Sequence, residues 1–288
     1  MQLAPYGARA LGALLAITAL PSDAVTFTAF SFDSEVSTSG VFSGVNGIYG
    51  NGDVRLDSVR FGGVTHGPAT LQTVSSTSIV LDDGLDAVNG GGNLAAGHGI
   101  HAAADNWAGQ GPSTVLPTST DLQAALANTN LTSIVVTREN PGTAILDVGF
   151  ATPQSTFLFY ERGGNSDLQV QALNASNQVI GSYTILRSNY DATGIVISTD
   201  NGAFQLAGQT LGSIGLRTDE AVSRLRLSSY RSDVLNYNGP DYKVLAVSAV
   251  PEPGTYAFLL AGLGGVALAA RRRTRPEPFL MSTLNTRP

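Results

Sequence analysis

The chain has 288 residues, of which 13% are charged, 43% are hydrophobic and none is cysteine, and its net charge is −6. Without disulfides or a cysteine nucleophile, a chain of this size is held by its own apolar core. An acidic chain with a single lysine, Lys243, lacks the basic footprint that nucleic acid requires.

Met1–Ala24 reads as a secretory signal peptide. Arg9 supplies the positive start, Ala10–Leu20 is an apolar run too short to span a bilayer, and Ser22 and Ala24 are small residues at the −3 and −1 positions, so signal peptidase is expected to cut after Ala24. The secreted body is then 25–250. It keeps 10 basic and 19 acidic residues, a net charge of −9. Few charges, abundant glycine, and short alternating runs of Thr, Ser, Asn and Val give it the composition of an all-β extracellular domain. Val25, Phe27 and Ala29 share one face of a first strand. Asn46-Gly47 and Asn51-Gly52 are read as tight turns, because type I′ turns need φ > 0 at both central positions. Val54–Phe61 and Thr70–Leu81 are further strands.

Asp82–Trp107 breaks this rhythm with six glycines, which make regular structure costly. Asp82, Asp83, Asp86 and Asn89 carry oxygens suited to calcium, at a spacing that is not that of an EF-hand. His98, His101 and Asp105 stand close in sequence, but zinc needs three or four converging ligands, and the expectation is no metal and no cofactor. Trp107, the only tryptophan, is read as the plug of a sandwich end, with sugar stacking as the alternative. Ser119–Asn128 is the one helix, capped by Ser119 or Thr120, with Leu122, Ala125 and Leu126 on one stripe. It is expected to lie over an open edge or end.

From Leu131 onward the β pattern strengthens. Leu131–Glu139 and Thr143–Gly149 flank Asn140-Pro141-Gly142 and are expected to form a hairpin. Ser155–Tyr160 is apolar enough to be a strand covered on both faces. Asp167–Ala172 and Gln178–Leu186 follow, and Gly194–Thr199 and Phe204–Ala207 bracket Asn201-Gly202, a strong hairpin signal. Ala221–Leu227 alternates, with Arg224 and Arg226 toward water, and Lys243–Val250 is the last strand. Glu161 and Arg162 are read as an ion pair at a strand end. The fold class is all-β, a two-sheet antiparallel sandwich of jelly-roll type with one short helix, an N-terminal signal peptide and a single C-terminal transmembrane helix. Neither a Gly-x-Ser-x-Gly elbow nor a phosphate-cradling loop occurs, no residue is assigned a catalytic role, and the body is expected not to be an enzyme.

Residues 251–273 have a different character. Pro251 and Pro253 fix φ and remove two backbone donors, leaving an extended, accessible segment around Glu252. Tyr256–Ala270 is uncharged and apolar, and with Gly254 and Thr255 it reaches the short end of the roughly 17 to 25 residues that span a bilayer. Arg271, Arg272 and Arg273 would stay on the cytoplasmic side. This order of motif, apolar run and arginine cluster resembles the PEP-CTERM sorting signal of exosortase substrates in exopolysaccharide-making Gram-negative bacteria. The resemblance implies that Pro251, Glu252 and Pro253 are recognised by exosortase, a membrane-embedded protease or transpeptidase, while the helix is held transiently in the inner membrane. Thr274–Pro288 extends beyond the usual end of such tails. Residues 157–173 and 238–247 also resemble the bodies of exosortase-dependent surface proteins, a resemblance that carries no catalytic residue. Three readings of the body follow: a non-enzymatic surface or biofilm matrix protein, a carbohydrate-binding module for exopolysaccharide using Trp107, Tyr230, Tyr237 and Tyr242, and an exopolysaccharide hydrolase.

Overall fold

The computed structural model describes residues 24–43, 49–82, 94–97, 117–137, 143–200, 205–230 and 239–248, together with Ala261 and Leu263. The chain divides into two units, Met1–Ser248 and Ala249–Pro288. In the first, the described strands in chain order are β1 (Phe27–Phe30), β2 (Asp33–Ser43), β3 (Tyr49–Phe61), β4 (Val64–His66), β5 (Leu71–Gln72), β6 (Ser76–Asp82) and β7 (Leu94–Gly97). After helix α1 (Ser119–Leu126) come β8 (Ile134–Thr137), β9 (Thr143–Arg162), β10 (Leu168–Leu173), β11 (Val179–Ile185), β12 (Asp191–Asp200), β13 (Gln205–Tyr230) and β14 (Tyr242–Val247). All pairings are antiparallel except one contact of β3 with β12, at Ile197 and Asn51.

Two strands of unusual length organise the body. β9 and β13, of 20 and 26 residues, pair antiparallel from Leu211↔Arg162 to Tyr230↔Thr143, with irregular register between Arg217 and Arg224. Each half has its own neighbours. The first half of β9 and the second half of β13 lie between β6 on one side and β10 and β11 on the other. The other halves lie between β14 on one side and β12 and β1 on the other. Leu146 and Val148 from the first half of β9 share one buried cluster with Phe157 and Phe159 from the second. The inward positions therefore change from even to odd across the irregular stretch, and the two halves face each other as two sheets. Strands that switch sheets at bulges make the corners of such packings.

A second core lies on the opposite face. Leu158, Tyr160, Leu245 and Val247 pack there against Val54, Leu56 and Val59 of β3 and against Phe32. The β2–β3 hairpin thus covers the outer face of the sheet that holds β14, which accounts for the unbroken apolar run Phe157–Tyr160: successive side chains enter different cores. Tyr160 reaches Ser34 Oγ with its hydroxyl at 2.8 Å, and burial raises its pKa.

Several sequence expectations are revised. The helix cap is Thr118, whose Oγ1 accepts from Asp121 N at 3.3 Å while Asp121 Oδ2 accepts from Thr118 N at 2.8 Å. Ser119 instead ties the helix to the sheet, since its Oγ accepts from Ile79 N and its carbonyl accepts from the Thr77 hydroxyl, fastening α1 over the β6 edge. Asn51-Gly52 is strand, not turn, because Val41 pairs with Asn51, and Asn46-Gly47 lies outside the described residues. The I′-like turn is Gly62-Gly63, with φ of 56° and 78°, between Phe61 and Val64. The hairpin across Asn140-Pro141-Gly142 does not form: β8 pairs with β7 and β14, whereas the first half of β9 pairs with β6 and β13. The Asn201-Gly202 hairpin does form, with Asp200 opposite Gln205.

Among the described residues the first docked one is Val25. It is 5% exposed, its N–H donates to Ile180 O at 2.7 Å, and its carbonyl rests on Gly181. A Cβ at Gly181 would collide with that backbone oxygen. Gly181→Ala should therefore lift Val25 from the core and cost about 1–3 kcal/mol, while Gly67→Ala, which meets nothing within 4 Å, should stay within about 0.5 kcal/mol. Thermal unfolding of the two variants measures the difference.

Candidate functional site

β14 fixes where the chain leaves the body. All six of its residues are buried. It pairs with β9 from Tyr242↔Glu161 to Ala246↔Phe157, with β8 at Tyr242↔Val135, and with β5 at Ala246↔Gln72 and Val247↔Leu71. Ser248 N then donates to Thr70 O at 2.9 Å. The backbone is consequently held in place up to three residues before Pro251.

Buried charge secures this strand at its start. Arg162 donates from Nε and Nη2 to Asp241 Oδ2 at 3.1 and 2.9 Å, and Asp241 Oδ1 accepts from Thr137 N at 3.2 Å. Glu161, 1% exposed, accepts from Asn165 N at 3.0 Å and from Asp241 N at 3.4 Å. Burial, and then the neighbouring Asp241 carboxylate, push the Glu161 pKa up to about 8. The expected Glu161–Arg162 pair is thus replaced by Arg162–Asp241, with Glu161 closing the loop beside it. Lys243 is fully buried, and its Nζ donates to Ala125 O, Asn128 Oδ1 and Ser133 O at 2.7, 2.8 and 2.9 Å. Burial pulls its pKa well below 10.5, while the three oxygens match the three N–H groups of an ammonium at the carbonyl end of α1. The segments 157–173 and 238–247, far apart in sequence, meet through these contacts.

The placement of the other expected residues varies. Ala24 is exposed beside the buried Val25. The remainder of Met1–Ala24, Asp83–Asn89, His98, His101, Asp105, Trp107, Tyr237 and the side chain of Tyr230 lie outside the described residues, as do Pro251, Glu252, Pro253 and Arg271–Pro288. Of the expected Tyr256–Ala270 helix, Ala261 and Leu263 are described and helical. Among the described residues no helix is long and apolar enough to cross a membrane. Tyr242 is 2% exposed, so it belongs to the core and not to a sugar-stacking platform. Arg224 and Arg226 do not simply face water: Arg226 grips Asp147 with two hydrogen bonds of 2.7 and 3.0 Å, and Arg224 approaches the same carboxylate at 3.5 Å. The carboxylates brought together at Glu161 and Asp241 are 1% and 7% exposed, out of reach of a polysaccharide.

A cleft that the sequence did not suggest opens elsewhere on the body. It has a volume of about 740 Å³, and Phe32, Asp33, Arg60, Phe61, Asp191 and Ser213 contribute to its walls. Asp33 stands opposite Arg60 in the β2–β3 ladder, and Asp191 opposite Ser213 in the β12–β13 ladder. Phe61 is stacked on His66 at 4.4 Å and tilted against Phe30 at 4.9 Å, so its faces are taken by protein.

Residues 249–273 match the family of the PEP-CTERM protein-sorting motif. No curated protein matches the chain. The chain therefore carries a PEP-CTERM sorting motif, which implies recognition by exosortase, export and processing at the membrane. The match begins at the residue where the second unit begins, one past Ser248.

The buried cluster beside β14 makes stability depend on pH. Glu161 titrates near 4.5 when unfolded and at about 8 when folded, so its proton stabilises the body fully below pH 4.5 and the contribution fades as pH rises through 8. Melting temperature should fall across that window, and Glu161→Gln, neutral throughout, should flatten the slope. An unchanged slope would place the proton elsewhere. Asp241→Asn, which removes the carboxylate that accepts from Arg162 Nε and Nη2, should cost about 3–5 kcal/mol in the same measurement.

Proposed function

We propose that this protein is an exported surface protein, delivered and processed through its C-terminal tail, with a body that serves as a rigid acidic module and not as an enzyme. The observation that carries the reading is the sorting-motif match over 249–273, which starts one residue past Ser248, the last described residue of the body. In this account exosortase recognises Pro251, Glu252 and Pro253, the apolar run Tyr256–Ala270 is held in the inner membrane, and Arg271, Arg272 and Arg273 stay in the cytoplasm.

The N-terminal half of the account is supported by the way the body begins. Signal peptidase cutting after Ala24 leaves Val25 as the first residue, and Val25 is the first one buried among those described. A cysteine-free body needs no oxidation to fold after export, because its apolar cores hold it without disulfides.

The test is fractionation of the native host with and without exosortase. The wild-type chain should be recovered as a shortened form outside the inner membrane when exosortase is present. Without the enzyme, or with Pro251, Glu252 and Pro253 all replaced by alanine, a longer form should accumulate in the membrane fraction. Identical size and location in all three cases would contradict the proposal.

A further inference from the structure

We infer that the cleft beside the β3–β4 hairpin is a binding site for a neutral saccharide unit. Its volume of about 740 Å³ lies within the roughly 300–1,000 Å³ of small-molecule sites. Its chemistry is mixed in a specific way. Phe32, 7% exposed, and Phe61 contribute apolar wall, while Asp33, Arg60 and Asp191 bring two carboxylates and one guanidinium to the rim.

Several charged side chains around the cleft differ from the paired ones elsewhere in the body. Asp147, Asp167 and Asp241 are each bound to one or two arginines, so their hydrogen-bonding capacity is already spent within the fold. Asp33, Arg60 and Asp191 make no ion pair and no side-chain hydrogen bond among the described residues. All three are exposed and line the cleft, so their hydrogen-bonding capacity is open at its rim. A carboxylate accepts from two adjacent hydroxyls, a guanidinium donates in a planar fork to ring and hydroxyl oxygens, and the C–H face of a pyranose suits an apolar wall. Two anions against one cation favour an uncharged sugar over a uronic acid. A metal is a poorer fit, since the described residues hold no group of three or more metal-ligating His, Cys, Asp or Glu side chains.

Four separate pieces of chain set this arrangement. Phe32 precedes β2, which begins with Asp33, the end of β3 supplies Arg60 and Phe61, β12 begins with Asp191, and β13 supplies Ser213, which is 1% exposed. Because Phe61 is covered on its faces by His66 and Phe30, affinity comes from hydroxyl bridging and not from ring stacking. That differs from the aromatic platform expected of Trp107, Tyr230, Tyr237 and Tyr242. Binding in this cleft belongs to the body alone and is independent of how the tail is processed.

The test uses the full chain, purified in a detergent without sugar headgroups, and saturation-transfer NMR with glucose, galactose, mannose, N-acetylglucosamine, glucuronic acid and putrescine as probes. Saturable transfer to at least one neutral sugar is expected, exceeding that to glucuronic acid. Asp191→Asn and Arg60→Gln should each weaken it about tenfold or more, as loss of a charge-assisted hydrogen bond does, with melting temperature unchanged. Asp57→Asn, which touches Ser37 outside the cleft, should leave binding as it is. Absence of transfer to every neutral sugar, preference for glucuronic acid or putrescine, or binding unaffected by both cleft variants would overturn the assignment.

Discussion

The antiparallel pairing of β9 with β13 is the constraint on which the body depends. Fifteen cross-strand partners join them, and every other part of the architecture is an addition to one half or the other of this ribbon. A straight ribbon of that length would expose one face of each half. The interruption between Arg217 and Arg224 changes which residues point inward, so both halves turn toward a common core. The β2–β3 hairpin then covers the remaining face of one half, and α1 covers an edge, leaving β14 buried on both sides.

Burial on both sides is what gives the exit point its character. A strand in the middle of a sheet cannot slide without breaking the ladders on either side of it, and β14 is also tied at its start by Arg162–Asp241 and through Lys243 to α1. Charges are costly to bury singly, and here they are satisfied by an opposite charge or by several oxygens. The sorting motif starts one residue past Ser248, the last residue described in the body. The motif therefore begins within a few residues of Ser248, and the ladders of β14 all lie on its N-terminal side.

Local chemistry is readable in the sequence and long-range partnership is not. The alternating faces of 167–172, the doubly covered run 155–160 and the Asn201-Gly202 hairpin follow from periodicity and turn preference, and each is present. The helix lies where Leu122, Ala125 and Leu126 repeat, though its cap is one residue earlier, because Ser119 is drawn away to β6. The hairpin expected across Asn140-Pro141-Gly142 fails because a good turn sequence states that the chain reverses, not which strand it will lie beside. Arg162–Asp241 joins residues 79 apart, Lys243 meets oxygens from three places, and the cleft takes residues from four strand segments. Nothing in a local window marks such meetings. The tail is the opposite case: its three parts are contiguous and act through composition, so a local window holds all of them.

The central claim is that two apolar ends direct the body through the envelope and are removed on the way. The most direct measurement is mass spectrometry of both termini of the protein recovered outside the inner membrane of its native host. The account predicts a chain that begins at Val25, ends close to Pro253, and lacks Arg271, Arg272 and Arg273. Recovery there of continuous peptides spanning Ala24–Val25, and of the whole apolar tail with its arginines still attached, would contradict it.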